Sequence, residues 1–180
     1  MRRIQSKRCT LTTNKGEIKF DSIAEKNFYL DLLKIEGLRI IRPCELNLPG
    51  RVRKWKCDFG LIAKSQKDSV RLTRLVLSMN GLSNDTGEWS KYLRGEKELI
   101  DCAYLEFKGV TDLKTGLTLI DANFKNRIDW LAKYADHILD RTIVVGNGTG
   151  GIVSYCGEED FRVTPVHSKE FFVRTVRELW

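Results

Sequence analysis

The sequence predicts a mixed α/β fold with a single core. Amphipathic helical segments alternate along the chain with short apolar segments that have the period of β-strands. Apolar residues make up 42% of the chain and charged residues 31%, which is typical of a globular domain and excludes a disordered one. No internal repeat or low-complexity tract divides the sequence. We therefore predict one domain over residues 1–180, with a helical insertion at about residues 65–99.

The first half of the chain predicts a hairpin, a helix and two strands. CTLTTNKGEIKF has the pattern of a hairpin that turns at residues 14–16. In the helix that follows, Ser22 and Glu25 form a capping box and Gly37 marks the C-terminal end. LRIIRP then predicts a short strand. VRKWKCDFGLIAK predicts a longer strand with Asp58 on one face and an apolar set on the other, namely Trp55, Cys57, Phe59, Leu61 and Ala63.

The second half continues this alternation. Within the insertion, the first of two predicted helices has an apolar stripe formed by Leu72, Leu75, Val76 and Met79. DCAYLEFKGV predicts a strand, and residues 117–139 predict one long helix. TIVVG and IVSYC predict two more strands, and Ser168 caps a closing helix. The expected core is a helix, a three-strand meander, a helix and a strand, with a C-terminal hairpin and helix after it.

The glycine-rich segment GNGTGG, residues 146–151, formally satisfies the dinucleotide-binding pattern G-x-G-x-x-G. Such a site needs a helix that opens at the glycines, within a complete strand–helix–strand unit. IVSYC predicts a strand here instead, and the Lys-Ser/Thr ending of a P-loop is missing. We predict a hairpin turn at this position and no nucleotide cofactor.

The net charge of +7 favours a polyanionic partner, nucleic acid first. A soluble basic protein without such a partner is the alternative. The candidate phosphate-contacting residues are Arg2, Arg3, Lys54, Lys56, Arg71 and Arg74, with Lys125 and Arg127 on the long helix as additional candidates.

The cysteine, histidine and hydropathy patterns of the sequence limit the cellular compartments in which the protein is expected. Five scattered cysteines form no C-x-x-C pair, which favours a reducing compartment over a disulfide framework. The two histidines lack both zinc-finger spacing and H-E-x-x-H. No apolar run approaches the length of a membrane span, and no secretory signal is present. We expect a cytoplasmic protein with no membrane partner.

Strand alternation places an acidic and a basic side chain, Glu106 and Lys108, on the same face of DCAYLEFKGV. Alone, this pair is compatible with an ordinary solvent-facing ion pair. Two further carboxylates precede it, however. Glu25 lies one turn inside the first helix, and Asp58 lies in the middle of a strand.

The order of these residues resembles the PD-(D/E)XK nuclease superfamily, whose core is a helix, a three-strand meander, a helix and a further strand. FDSIAEKNFYLDL…DFGL…LEFKG is similar in particular to small phage and mobile-element nucleases of the transposon-end and Holliday-junction cleaving types. The resemblance covers about residues 17–146. Cys57 stands where the family usually has a proline, and the interval from Asp58 to Glu106 is longer than usual. A restriction-endonuclease-like fold is implied, as is the host cytoplasm for a phage-encoded protein.

The resemblance implies a metal-dependent endonuclease site with Mg²⁺ or Mn²⁺ as cofactor. Asp58 and Glu106 would bind the metal together with the backbone carbonyl of Phe107. Glu25 would act through a water or at a second metal, although its capping role alone also accounts for it. Lys108 would lie beside the scissile phosphate. Hard cations prefer oxygen ligands, and Mg²⁺ retains several waters, so two carboxylates suffice. Such a metal activates water and neutralises developing charge.

We therefore expect a phosphodiester hydrolase acting on DNA in phage or mobile-element DNA processing, with structure-specific cleavage left open. A ribonuclease of the same fold and a non-catalytic nucleic-acid-binding module with a degenerate nuclease fold remain alternatives. A structural partner protein in a larger assembly is more remote. Paired cuts on two strands usually require two active sites, so a homodimer is also open.

Overall fold

The computed structural model describes residues 7–14, 16–48, 55–82, 86–156 and 161–180. Its mixed α/β class agrees with the sequence prediction. The elements in chain order are β1 Cys9–Thr13, β2 Gly16–Phe20, α1 Ile23–Leu32, β3 Leu38–Ile41, β4 Cys44–Leu46, β5 Trp55–Cys57, β6 Phe59–Ala63, α2 Gln66–Met79, α3 Thr86–Leu93, β7 Cys102–Lys108, α4 Ala122–Tyr134, α5 Asp136–Leu139, β8 Thr142–Gly146, β9 Gly151–Cys156, β10 Phe161–Ser168 and α6 Lys169–Leu179.

A six-stranded mixed sheet with the order β3-β6-β7-β8-β10-β9 organises the chain. The first three strands form the expected antiparallel meander. After α4, the next strand, β8, pairs in parallel with β7, and β10 pairs in parallel with β8. Helix α4 thus makes the crossover that a parallel pair of strands requires. Two separate two-stranded ladders, β1-β2 and β4-β5, complete the described strands.

Helices cover both faces of the sheet. On one face, residues of α1, α2 and α6 pack against the alternate positions of β7 and β8, which are Ala103, Leu105, Phe107, Ile143 and Val145. On the other face, α4 and α5 pack against the intervening positions, including Tyr104 and Val144. The predicted alternation of β7 is therefore confirmed. Helix α2, expected as part of an insertion, supplies all four of its predicted stripe residues to the first of these cores.

The expected long strand around Asp58 is wrong, because the chain breaks at this residue into β5 and β6. The pairs Ile41↔Gly60 and Cys44↔Cys57 keep one register across the break, and this register places Pro43 opposite Asp58. Proline has no N–H group to continue the ladder. As a result, Cys57 packs on the α4 side of the sheet. Phe59 and Leu61, which follow the break, pack on the opposite side of the sheet.

The expected single helix over residues 117–139 is also wrong. Asp121 is the N-cap of α4, and its side chain accepts a hydrogen bond from the Phe124 N–H at 2.8 Å. Ala135, with φ −155° and ψ 50°, ends α4 and separates it from the short α5. Similarly, α1 ends at Leu32 and not at Gly37. Gly37 instead lies where an added Cβ would collide with the side chains of Asp68 and Trp180.

The expected hairpin turn at residues 146–151 is wrong as well. β8 and β9 do not pair, because β10 occupies the position between them. The C-terminal hairpin forms between β9 and β10 instead. β10 contains Pro165, which weakened its strand pattern in the sequence. Among the described helices, none combines the length and apolar character that a membrane crossing requires.

Candidate active site

A cleft of about 350 Å³ lies where the end of β7 meets the start of α1 and the inward face of α4. All four residues expected to be catalytic line it: Glu25, Asp58, Glu106 and Lys108. The backbone and side chains of six others complete the lining, which are Asp21, Ser22, Phe107, Gly109, Val110 and Arg127. Residues that are far apart in the chain therefore share one polar cleft.

Strand register brings two of the carboxylates together. β6 pairs with β7 through Phe59↔Leu105 and Gly60↔Tyr104. Continued by one residue, the same register places Asp58 opposite Glu106. The Asp58 carboxylate accepts a hydrogen bond from the Phe107 N–H at 2.7 Å, which fixes it at the end of the ladder.

The environment of Asp58 disfavours its charged form. Burial and then the negative charge of Glu106 raise the pKa of Asp58 to about 7, against the opposing effects of Lys108 and the Phe107 N–H. The charge of Glu25 contributes in the same direction as that of Glu106. A buried carboxylate beside a second carboxylate is electrostatically unfavourable without a cation.

Glu106 is the most deeply buried acidic residue of the cleft, with 1% of its surface exposed. Its Oε2 lies 2.8 Å from the Lys108 Nζ and 3.8 Å from the Arg127 Nη2. Its Oε1 is buried and has no hydrogen-bond partner among the described residues. A buried oxygen of this kind carries a desolvation cost unless a further donor or a cation compensates it.

Two cations share one aromatic ring beside Glu106. The Lys108 Nζ lies 3.9 Å from the centroid of the Phe124 ring, and the Arg127 guanidinium carbon lies 5.4 Å from it. Phe124 is fully buried, so the ring is a fixed platform. The Arg127 side chain keeps a third of its surface exposed where it lines the cleft. Lys108 and Arg127 are therefore both placed to contact an anion that enters the cleft.

Glu25 is held differently from the other two carboxylates. Its Oε1 accepts a hydrogen bond from the Arg42 Nη2 at 2.5 Å, and its Oε2 accepts one from the Asp21 N–H at 2.9 Å. The Ser22 hydroxyl accepts the Glu25 N–H at 3.0 Å, as expected for the N-cap of α1. In a capping box the glutamate side chain accepts the N–H of the N-cap residue, here Ser22. Glu25 accepts the N–H of the preceding residue, Asp21, instead. Both oxygens of Glu25 are thus engaged within the protein.

The cleft fits a hard divalent cation on the basis of its oxygens. Among the described residues, no three His, Cys, Asp or Glu side chains come together as a ready metal cluster. Mg²⁺, however, binds through one or two carboxylates because it retains several waters. The carboxylates of Asp58 and Glu106, the latter through its unpartnered Oε1, would be the two that hold such a cation. Phe107, whose backbone carbonyl the resemblance adds as a ligand, also lines the cleft.

The expected nucleic-acid-binding residues are scattered. Lys56 is exposed and forms an ion pair with Glu45 at 2.7 Å. Arg71 lines a different groove, where it pairs with Asp68 at 3.2 Å, and Arg74 is exposed beside α3. None of the three lines the cleft. The remaining predicted contacts, Arg2, Arg3 and Lys54, lie outside the described residues.

Two basic residues proved more important to the cleft than the sequence suggested. Arg127 was expected only as an additional phosphate contact, although it follows Phe124 by three residues and so shares the buried side of α4. Arg42 had no local signal, because its partner Glu25 lies 17 residues away in another element.

The chain shows no significant match to a protein-family model, a curated protein or a solved structure.

Proposed function

We propose that this protein is a Mg²⁺- or Mn²⁺-dependent endonuclease that hydrolyses phosphodiester bonds in DNA. The observation that carries the proposal is the state of two facing carboxylates. Asp58 has a pKa raised to about 7, and the adjacent Glu106 keeps a buried oxygen without a partner. A divalent cation between them relieves both costs, and Lys108 and Arg127 at the same cleft attract the phosphate.

Each residue has a distinct part in this proposal. Asp58 and Glu106 hold the cation, which supplies Lewis acidity and neutralises the charge that develops on the phosphate. Lys108 stabilises the pentavalent phosphate through its ammonium group. Arg127 binds a neighbouring phosphate oxygen. Glu25 acts indirectly, because Arg42 and the Asp21 N–H already engage its oxygens.

The order of elements supports the same proposal. Helix α1, the meander β3-β6-β7, helix α4 and the parallel strand β8 follow the order of the PD-(D/E)XK core. Glu25 on α1, Asp58 and Glu106 on β7 follow one another in the order that the resemblance implies, although Asp58 lies between β5 and β6 and not within a strand. The net charge of +7 favours a nucleic-acid substrate.

The test is cleavage by the full chain. Supercoiled plasmid and end-labelled DNA and RNA oligonucleotides are incubated with the protein in Mg²⁺, in Mn²⁺ and in EDTA. We expect metal-dependent nicking of DNA by the wild type, and loss of nicking by Asp58→Ala and by Glu106→Ala. Asp31→Asn, a carboxylate outside the cleft, is the control and should remain active.

Three results would contradict the proposal. Cutting that persists in both alanine variants would show that the two carboxylates take no part in the reaction. Cutting of RNA alone reassigns the substrate. Salt-sensitive binding without cleavage in either metal favours a non-catalytic binding module.

A further inference from the structure

A short ribbon, residues 110–119, extends from the end of β7 at the rim of the cleft. The Leu119 N–H donates to the Val110 carbonyl at 2.9 Å, and the Asp112 N–H donates to the Leu117 carbonyl at 2.9 Å. At the tip, the Asp112 carboxylate accepts the N–H groups of the two residues that follow Leu113. The ribbon therefore has a defined backbone structure, although its residues do not show a strand pattern.

The ribbon packs against the glycine-rich segment at residues 146–151. The Thr149 N–H donates to the Gly116 carbonyl at 2.9 Å, and the Gly148 N–H donates to the Thr118 hydroxyl at 3.2 Å. A Cβ on Gly148 would collide with the Gly116 carbonyl, and a Cβ on Gly146 would collide with the Thr118 side chain. The glycines therefore allow the ribbon to lie close against the end of β8.

The outer face and the tip of the ribbon carry four large aliphatic side chains, together with the Asp112 carboxylate that the tip turn engages. Thr111 and Thr118 pair across the ribbon, and Thr118 is buried. The alternate positions point the other way. Three of these positions expose large aliphatic side chains, with exposed fractions of 41% for Val110, 45% for Leu117 and 37% for Leu119. Leu113, at the tip, is 72% exposed. This is the reverse of a solvent-facing ribbon, which carries polar residues outward.

The size of this face argues against a protein partner. Four partly exposed aliphatic side chains present on the order of a few hundred Å² of apolar surface. A standard protein interface buries roughly 800 Å² on each partner. The face is nevertheless continuous with the cleft, because Val110 lines it two residues after Lys108. Whatever binds at the cleft is therefore within reach of the ribbon.

We propose that the aliphatic face of the 110–119 ribbon packs against unstacked bases of the nucleic acid beside the cleavage position. This inference rests on the proposed function and names its substrate class. The preferred substrate is DNA with a base face already accessible at the cut site, as at a gap, a flap or a branch. In continuous duplex the base faces are stacked, so only the sugar–phosphate backbone and the base edges in the grooves would meet the ribbon.

The chemistry of both surfaces supports this assignment. Aliphatic side chains that enter a base step contact the apolar base faces and are used by DNA-binding proteins as wedges. The phosphates on either side of such a step would lie toward Lys108 and Arg127. Because the unstacking cost is lowest where the helix is already interrupted, the ribbon discriminates in favour of interrupted DNA.

Equilibrium binding in EDTA tests the inference separately from catalysis. Fluorescence anisotropy gives the Kd for a fluorescein-labelled duplex with a central two-nucleotide gap and for a continuous duplex of the same sequence. We expect the wild type to bind the gapped DNA about tenfold more tightly, from the burial of two leucine side chains. The double variant Leu113→Ser with Leu117→Ser should lose most of that preference and keep its affinity for continuous duplex. Leu93→Ser on α3, 69% exposed and outside the cleft, is the matched control and should behave as wild type.

Equal affinity of the wild type for the two DNAs would overturn the inference, and so would an unchanged preference in the double variant. Sedimentation of the wild type as a dimer that the double variant converts to a monomer would also overturn it, because the ribbon would then bind a second copy. Cleavage in Mg²⁺ is measured in parallel. If the protein prefers gapped DNA but does not cleave, the endonuclease proposal alone is contradicted. If it cleaves but does not prefer gapped DNA, only the ribbon inference is contradicted.

Discussion

Two cavities on this molecule differ in size and in charge compensation. The larger, about 1110 Å³, lies between α1, α2 and α6. There, although burial opposes the effect, hydrogen bonds from Lys169 and Lys34 lower the pKa of Asp31. The smaller, about 350 Å³, contains Asp58, whose pKa burial and Glu106 raise to about 7.

The difference shows that the volume of a cavity does not indicate how well its carboxylates are compensated in this protein. Asp68 of the larger groove also has a lowered pKa, from hydrogen bonds with Ser65 and Arg71. Asp31 and Asp68 are thus already engaged by donors of the protein and have little electrostatic reason to bind a metal. In the cleft, two adjacent carboxylates remain undercompensated. Matched substitutions in the two cavities therefore test whether function follows charge.

The largest difference between the two cavities is expected in the cleavage rate when one lysine of each is replaced. Lys108 of the cleft and Lys169 of the groove each lie 2.8 Å from a carboxylate oxygen. We expect Lys108→Met to lower the single-turnover cleavage rate by about 10²–10³-fold, because a donor to the developing phosphate charge is lost. Lys169→Met, which removes one of the two lysine partners of Asp31 in the groove, should leave the rate within about twofold of wild type, since it lies outside the cleft. Comparable losses in the two variants would mean that Lys108 contributes only to stability.

The second difference is a stability change of opposite sign, measured by urea unfolding in EDTA. The folded-state pKa of Asp58, about 7, exceeds the unfolded value, so its contribution to stability is present at low pH and is lost as the pH rises toward 7. Asp58→Asn keeps an acceptor for the Phe107 N–H and removes the charge. We expect it to raise the free energy of unfolding by on the order of 2 kcal/mol at about pH 8 and to have little effect near pH 4.

Asp31→Asn is the matched variant. The pKa of Asp31 is lowered on folding, so its contribution is present above the unfolded value and is lost as the pH falls. We expect a loss of about 0.5 kcal/mol at about pH 8 that disappears in acid, because the pair is partly exposed. The same sign for both variants at high pH would contradict the electrostatic difference between the cavities.

The third difference concerns two arginines that lie over aromatic rings. Arg127 lies 5.4 Å from the Phe124 ring centroid in the cleft, and Arg174 lies 5.2 Å from that of Phe171 beside the groove. We expect Arg127→Gln to lower kcat/KM about tenfold and to reduce the salt dependence of DNA binding by about one phosphate contact. Arg174→Gln should change neither quantity. A shift in metal affinity without a change in salt dependence would make Arg127 a support for Glu106 and not a phosphate contact.

The smallest effect on metal binding is expected from Glu25→Gln. Glu25 already bonds Arg42 and the Asp21 N–H, so we expect the Mn²⁺ affinity to change by less than about threefold. The charged bond to Arg42 is weakened, which should lower the free energy of unfolding by about 1 kcal/mol. Loss of Mn²⁺ binding comparable to that of Asp58→Asn would show that Glu25 is a direct ligand.

The elements that were predicted correctly have local sequence patterns. The alternation in β7 places Glu106 and Lys108 on the α4 side of the sheet, opposite the face that α1, α2 and α6 cover. Ser22 and Ser168 cap α1 and α6 as expected. These features depend on residues within a few positions of one another. They could therefore be read without tertiary structure.

The errors involve contacts between distant segments. The break at Asp58 depends on Pro43 across the ladder and on the Phe107 N–H, which is 49 residues away. The pairing of β10 with β8 rather than of β9 with β8 is a choice of partner that no short window encodes. The ion pair of Glu25 with Arg42, which changes the expected role of Glu25, likewise joins separate elements.

The most direct measurement is calorimetric titration of the metal-free protein with Mn²⁺. We expect the wild type and Asp31→Asn to bind, and Mn²⁺ at about 100 times its Kd to raise the free energy of unfolding by roughly 2.7 kcal/mol. Asp58→Asn and Glu106→Gln should each lose the binding heat and the stabilisation. Unchanged Mn²⁺ binding in both cleft variants, or equal loss in Asp31→Asn, would contradict a cation shared by Asp58 and Glu106.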